Sequence, residues 1–104
     1  MKTTFTFFLI PILIICNNHL PAQTSYEVYV SSRGTNAVKK YDMNGEYLGD
    51  FVASGSGGLT NTEDILFHPD GSTLVTGFGN SSVKQYDGST GDYLGDFTSG
   101  YTLA

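Results

Sequence analysis

Two carboxylates stand side by side at Glu63-Asp64, in the stretch TNTEDILF. Hard divalent cations such as calcium prefer carboxylate oxygen, so this pair is the candidate metal site. Solvated acids in a loop are the simpler alternative. A second oxygen-rich stretch, Asp42-Met43-Asn44-Gly45-Glu46, offers oxygens at alternate positions, as calcium loops do. It lacks the acidic ligand far downstream that completes an EF-hand, and a hairpin turn accounts for Asp, Asn and Gly equally well. His68, in FHPDG, could serve as a base or a ligand. No cysteine, second histidine or serine-nucleophile pattern accompanies it in residues 23–104, and a histidine packed in a turn is the plainer expectation. Lys39, Lys40 and Lys84 are expected near an outer sheet edge, where lysine opposes edge-to-edge pairing; a binding patch is the sharper reading. The run GSGG at 55–58 reads as a flexible loop with no helix after it, so it is not expected to cradle phosphate. No residue is assigned a catalytic role, and no cofactor beyond such a cation is expected.

The chain that must position these groups begins with a segment of another kind. Lys2 is followed by an apolar run, FTFFLIPILIIC, of 12 residues at 5–16. That is short of the roughly 20 needed to span a bilayer. A charged start, a short apolar core and a polar stretch ending in Ala22 describe a secretory signal peptide over residues 1–22. Leu20 is larger than the small residue usual two positions before the cut, which leaves the cleaved bond open. An uncleaved anchor is the alternative. Lipidation of Cys16 is disfavoured, because Ile15 stands where a small residue is wanted. Cys16 is the only cysteine, so an exported residue 23–104 segment relies on packing without disulfides. The expected location is therefore secreted or periplasmic, with no membrane association once the leader is removed.

All basic residues but Lys2 lie in that segment, four of them against all ten acidic ones. Such a balance argues against nucleic acid, whose binding needs clustered cationic side chains to displace counterions. It suits a soluble extracellular protein and is compatible with cation binding.

The sequence then repeats itself. YVSSRGTNAVKKYD at 29–42 aligns with LVTGFGNSSVKQYD at 74–87, an offset of 45. One extra residue in the next turn moves the offset to 46, after which GEYLGDF at 45–51 pairs with GDYLGDF at 91–97. Within a unit the pattern is short strand, turn, short strand. YEVYV alternates Tyr26, Val28 and Val30 on one face, and EYLGDFV is expected to put Tyr47 and Phe51 on one face with Leu48 and Val52 on the other. Asn44-Gly45, Asp70-Gly71 and the run GSTG at 88–91 supply residues suited to tight turns. No apolar residues recur at helical spacing for three turns. The fold expected is all-β, with a full unit of four strands at 64–67, 73–76, 82–86 and 93–97. Four antiparallel strands in about 45 residues, repeated, are the signature of a β-propeller blade.

These residues also resemble a family. VYVSSRGTNAVKKYDMNGEYLGDFVASGSGGL and LVTGFGNSSVKQYDGSTGDYLGDFTSG are similar to the NHL and YVTN-type repeats of secreted bacterial β-propellers, over nearly all of 26–98. The resemblance implies a first blade at 23–59 lacking its innermost strand, a second blade at 60–100, and the start of a third at 101–104. It implies an incomplete propeller, an N-terminal piece of a longer chain whose remaining blades are its partners; copies of a short chain assembling into a ring are the alternative. It places Glu63-Asp64 at the start of an innermost strand, near the mouth of a central channel. The family hosts non-catalytic scaffolds for protein or carbohydrate, and also propeller lyases and lactonase-like hydrolases. A scaffold is the leading expectation; an enzyme with a channel metal site is the rival.

Overall fold

The protein, seen here in a computed structural model, is described over residues 24–98. The expected leader at 1–22, with Cys16 and His19, and the expected third-unit start at 101–104 lie outside the described residues. Among the described residues seven strands form in chain order: β1 (Glu27–Ser32), β2 (Ala37–Asp42), β3 (Tyr47–Val52), β4 (Thr62–Phe67), β5 (Ser72–Gly77), β6 (Lys84–Asp87) and β7 (Tyr93–Asp96). They make two antiparallel sheets, one of three strands in the order β1-β2-β3 and one of four in the order β4-β5-β6-β7. Both are simple meanders, each strand pairing with the next along the chain.

Hairpins of this kind need turns that cap the unpaired backbone donors, and aspartate does so in both units. The Asp42 carboxylate accepts from the backbone N–H of Asn44 and of Glu46, each at 2.8 Å. The Asp87 carboxylate accepts from Ser89 N–H at 2.8 Å and Thr90 N–H at 2.9 Å. These backbone hydrogen bonds hold the Asp87 carboxyl below its ordinary range. At the β4–β5 turn, Asp70 accepts from the Ser72 backbone N–H at 2.8 Å and from its hydroxyl at 2.6 Å, with the same effect on its carboxyl. The oxygen-rich stretch at 42–46 is thus a hairpin turn whose Asp42 carboxylate faces its own backbone.

The sheets bury one face of each against the other. Val38, Phe51 and Val52 from the three-stranded sheet meet Val75 and Tyr86 from the four-stranded one, with Leu59 of the connecting segment between them. All six are buried. Burying each of the aliphatic side chains contributes about 1.5–3 kcal/mol. Tyr29 stands on edge against Phe51 and Phe67, both centroids 5.0 Å away, so one ring joins the two sheets. The Tyr86 hydroxyl, taken out of water, donates to Ser56 carbonyl oxygen at 2.7 Å, and burial pushes that phenol well up. Asn61 N–H donates to Asn36 Oδ1 at 2.7 Å, a further tie between the units.

Two expectations about faces fail here. Phe51 and Val52 are adjacent and both buried, while Tyr47 and Leu48 are both exposed. Simple alternation cannot produce that; register shifts between Val38 and Lys39 and between Lys40 and Tyr41 change the parity along β3. The lysines fail too. Lys39 and Lys40 lie on β2, the middle strand of its sheet, and Lys84 on β6, also internal. They do not guard an edge. Finally, the glycine run at 55–58 is a packed joint: Ser56–Gly58 forms a 3-10 turn, and a Cβ on Gly57 would collide with the Tyr93 ring.

Candidate functional site

The repeated YLGDF motif and the lysine of the preceding strand build the same polar cluster in each sheet. In the first, Lys39 Nζ lies 2.9 Å from Asp50 Oδ1, and the Tyr47 hydroxyl donates to that same oxygen at 2.6 Å. In the second, Lys84 Nζ and the Tyr93 hydroxyl meet Asp96 Oδ1 at 2.9 and 2.6 Å. Each ammonium also sits over the neighbouring tyrosine ring, 5.5 Å from the centroid for Lys39 and 6.0 Å for Lys84.

The motif's glycine makes this possible. Tyrosine and aspartate three apart in a regular strand face opposite sides of the sheet. In β3 the pairing runs from Lys40–Gly49 directly to Tyr41–Tyr47, so Leu48 is an extra residue; in β7 it runs from Gln85–Gly95 to Tyr86–Tyr93, and Leu94 is extra. Each is a β-bulge that restores Tyr and Asp to one side. Gly49 and Gly95 adopt φ of 120° and 143°, values that side-chain-bearing residues rarely take. The bulged leucines are pushed outward, which is why Leu48 and Leu94 are exposed.

The electrostatics of the cluster say what it can do. The Asp96 carboxyl is brought down to about 2, first by the Tyr93 hydroxyl, then by Lys84 and by Ser82. Asp50 is lowered by Lys39 and then Tyr47. Lys39 is raised, chiefly by its hydrogen bond to Asp50, and both tyrosines are raised by theirs to the aspartates. Each of these shifts holds its group in its ordinary protonation state, the aspartates and Lys39 charged and the tyrosines neutral. A general acid or base needs the opposite, a pKa near the working pH. The cluster is suited to holding a bulged strand in register.

Its pH behaviour follows. Asp96 is near 2 in the folded chain against an ordinary 3.8, so its contribution is fully present above the ordinary value and is lost as pH falls through about 2. The denaturation midpoint should fall as the pH drops from 3.8 towards about 2, and Asp96→Asn should flatten part of that fall. Parallel curves for the two proteins would remove Asp96 as a source of the acid sensitivity.

The residues singled out from the sequence have other surroundings. Glu63 and Asp64 lie at the second and third positions of β4, slightly inside the strand they were expected to open. The Glu63 carboxylate pairs with Arg33 at 3.6 Å, and Arg33 in turn stacks 5.3 Å over the Phe78 ring. Asp64 instead lines an open apolar groove on the far face of the four-stranded sheet, with Leu66, Leu74, Val83 and Phe97. Its backbone N–H donates to Thr76 Oγ1 at 3.2 Å. The neighbours thus serve different sides. Among the described residues, no group of three or more His, Cys, Asp or Glu comes together. His68 Nδ1 lies 3.0 Å from Asp70 Oδ1 within the β4–β5 turn, and its ring is 5.6 Å from Phe97. Lys40 pairs with Glu27 at 3.7 Å across β1 and β2.

Compared with protein-family models, curated proteins and solved structures, the chain matches none. The functional reading therefore rests on the residues alone.

Proposed function

We propose that the chain is a secreted β-propeller repeat module, of the NHL or YVTN kind, acting as a non-catalytic binding scaffold for protein or glycan. The observation that carries the reading is the duplicated Lys–Asp–Tyr cluster, whose members are locked to one another. Several other charged groups are held in the same way: Arg33 with Glu63, Lys40 with Glu27, and Asp42, Asp70 and Asp87 with their own turns. Groups committed to structure in this way leave recognition to the turns at the strand ends, where repeat folds place their variable chemistry. On this reading the three-stranded sheet is a blade without its innermost strand, the four-stranded sheet a full blade, and the rest of the propeller is supplied by further blades.

The test sets binding against turnover. The purified chain is applied to a glycan array and a peptide panel, and separately incubated with simple lactones in the presence of Ca²⁺ and of Mg²⁺. Saturable binding to a glycan or peptide is expected, without turnover and with no change of the melting temperature on adding Ca²⁺. Metal-dependent turnover would overturn the scaffold reading in favour of a propeller enzyme. A rise of several degrees with Ca²⁺, lost in Asp64→Asn, would place a cation at β4, since a ligand that binds only the native state stabilises it.

A further inference from the structure

The interface between the two sheets is built from unlike faces, and each face has its repeat-equivalent turned outward. The four-stranded sheet presents Thr73, Val75 and Tyr86 to the interface, all 0% exposed. Their equivalents in the three-stranded sheet are Val28, Val30 and Tyr41; the two valines are 43% and 41% exposed. Conversely, the three-stranded sheet buries Val38 and Phe51, whose equivalents Val83 and Phe97 line the open groove on the four-stranded sheet. Phe51 is 6% exposed and Phe97 48%. The outward faces are thus copies of the two halves of a contact the chain already makes.

We propose that a second copy of this chain covers them, its Val28–Val30–Tyr41 face stacked on the Leu74–Val83–Phe97 face of the first. Three features favour this occupant. The contact continues an existing interface with the same residues at Val30 and Val75, Tyr41 and Tyr86, Val38 and Val83, and Phe51 and Phe97. The charge is already neutralised: the Lys39–Asp50 pair on the open face repeats the Lys84–Asp96 pair, whose lysine is only 12% exposed. The backbone clearance is present as well. Gly91 sits so close to the Phe51 carbonyl that a Cβ there would collide, whereas its equivalent Gly45 has nothing within 4 Å and leaves room for the Phe97 carbonyl of a second copy. Because the joined faces differ, the association is head-to-tail, and its rotation per step decides between a closed ring and an open filament. The inference rests on the repeat and the buried interface, and not on the ligand-binding reading.

The full 104-residue chain is measured by light scattering over a range of concentrations, alone and with one face blocked. Wild type is expected above the monomer mass of 11.2 kDa. Val30→Lys blocks one face and Phe97→Lys the other; each variant alone is expected to be a monomer with an unchanged circular-dichroism spectrum. Mixed in equal amounts, the two variants retain one complementary pair of faces and are expected to form a 1:1 dimer and nothing larger. A monomeric wild type overturns the proposal and leaves the faces to later repeats of a longer chain or to an unrelated partner. So does a single-face variant that remains assembled, which would point to like-with-like pairing or to association through the apolar run at 5–16. Binding on the glycan and peptide panels by a monomeric wild type would keep the scaffold reading while removing this one.

Discussion

Tyr86→Ala is expected to lower the unfolding free energy by about 3–5 kcal/mol, the range for removing a buried aromatic side chain. Tyr41→Ala, at the equivalent position one repeat earlier, is expected to cost about 1 kcal/mol, nearer the middle of the range for ordinary substitutions. The residue type and flanking sequence are nearly the same; the surroundings differ. Tyr86 is fully enclosed by the second sheet, and its hydroxyl is satisfied by Ser56 carbonyl oxygen. Tyr41 tilts against Tyr47 on an open face. Tyr86→Phe separates the two parts of the larger effect, since losing that one hydrogen bond should cost about 1 kcal/mol and leave the packing in place. Denaturation midpoints taken where the chain is monomeric make the comparison. Equal losses at 41 and 86 would mean that the sheets do not stack as described.

The second large effect is expected at a glycine. Gly91 has φ of +80° and lies directly over the Phe51 carbonyl group, while Gly45 has φ of +88° with open space where a Cβ would stand. Alanine at either position meets the backbone penalty of the left-handed region, about 1–2 kcal/mol. Only at 91 must the two sheets also separate to admit the methyl group. Gly45→Ala should therefore unfold at slightly lower denaturant, and Gly91→Ala should lose most of the cooperative transition. The difference between them measures the inter-sheet contact free of the backbone term. If both variants behave alike, backbone conformation alone accounts for the glycines.

The strands themselves were legible because short-range signals agree. Alternation in YEVYV, the Asn44-Gly45 and Asp70-Gly71 turns and the 45-residue offset place every strand to within a few residues of where it forms. The distribution of faces was less legible. Alternation says that Val28 and Val30 share a side; it does not say whether that side has a neighbour, which depends on what stacks against the sheet. The parity of β3 was misread because Leu48 and Phe51 are extra residues relative to the partner strand, and nothing local to YLGDF reveals a pairing register. The Lys–Asp–Tyr cluster escaped for the same reason. Lys39 and Asp50 are 11 residues apart, and they meet only once β2 and β3 are paired with that bulge in place. A signal was present: the lysine and the aspartate recur together in both units, which marks them as candidates for a common role. The lysines' assignment to a sheet edge failed because edge or interior is a property of strand order, which composition does not encode. For Glu63 and Asp64, adjacency in sequence suggested a shared ligand, but consecutive residues in a strand tend to face apart, and here one meets Arg33 while the other lines the groove.

The two aspartate-anchored hairpins differ in length. The turn after β2 closes with Asp42 N–H on Glu46 carbonyl oxygen at 2.9 Å, and the turn after β6 with Asp87 N–H on Asp92 carbonyl oxygen at 2.8 Å, one residue longer. Beyond the turns the Lys–Asp distance is 2.9 Å in both sheets. The extra residue has been absorbed without disturbing the strands on either side, because the carboxylate finds backbone donors in both geometries. That makes the tip at Ser89-Thr90 a natural splice point, where a foreign peptide could be grafted and displayed while the bulged strand behind it keeps its alignment.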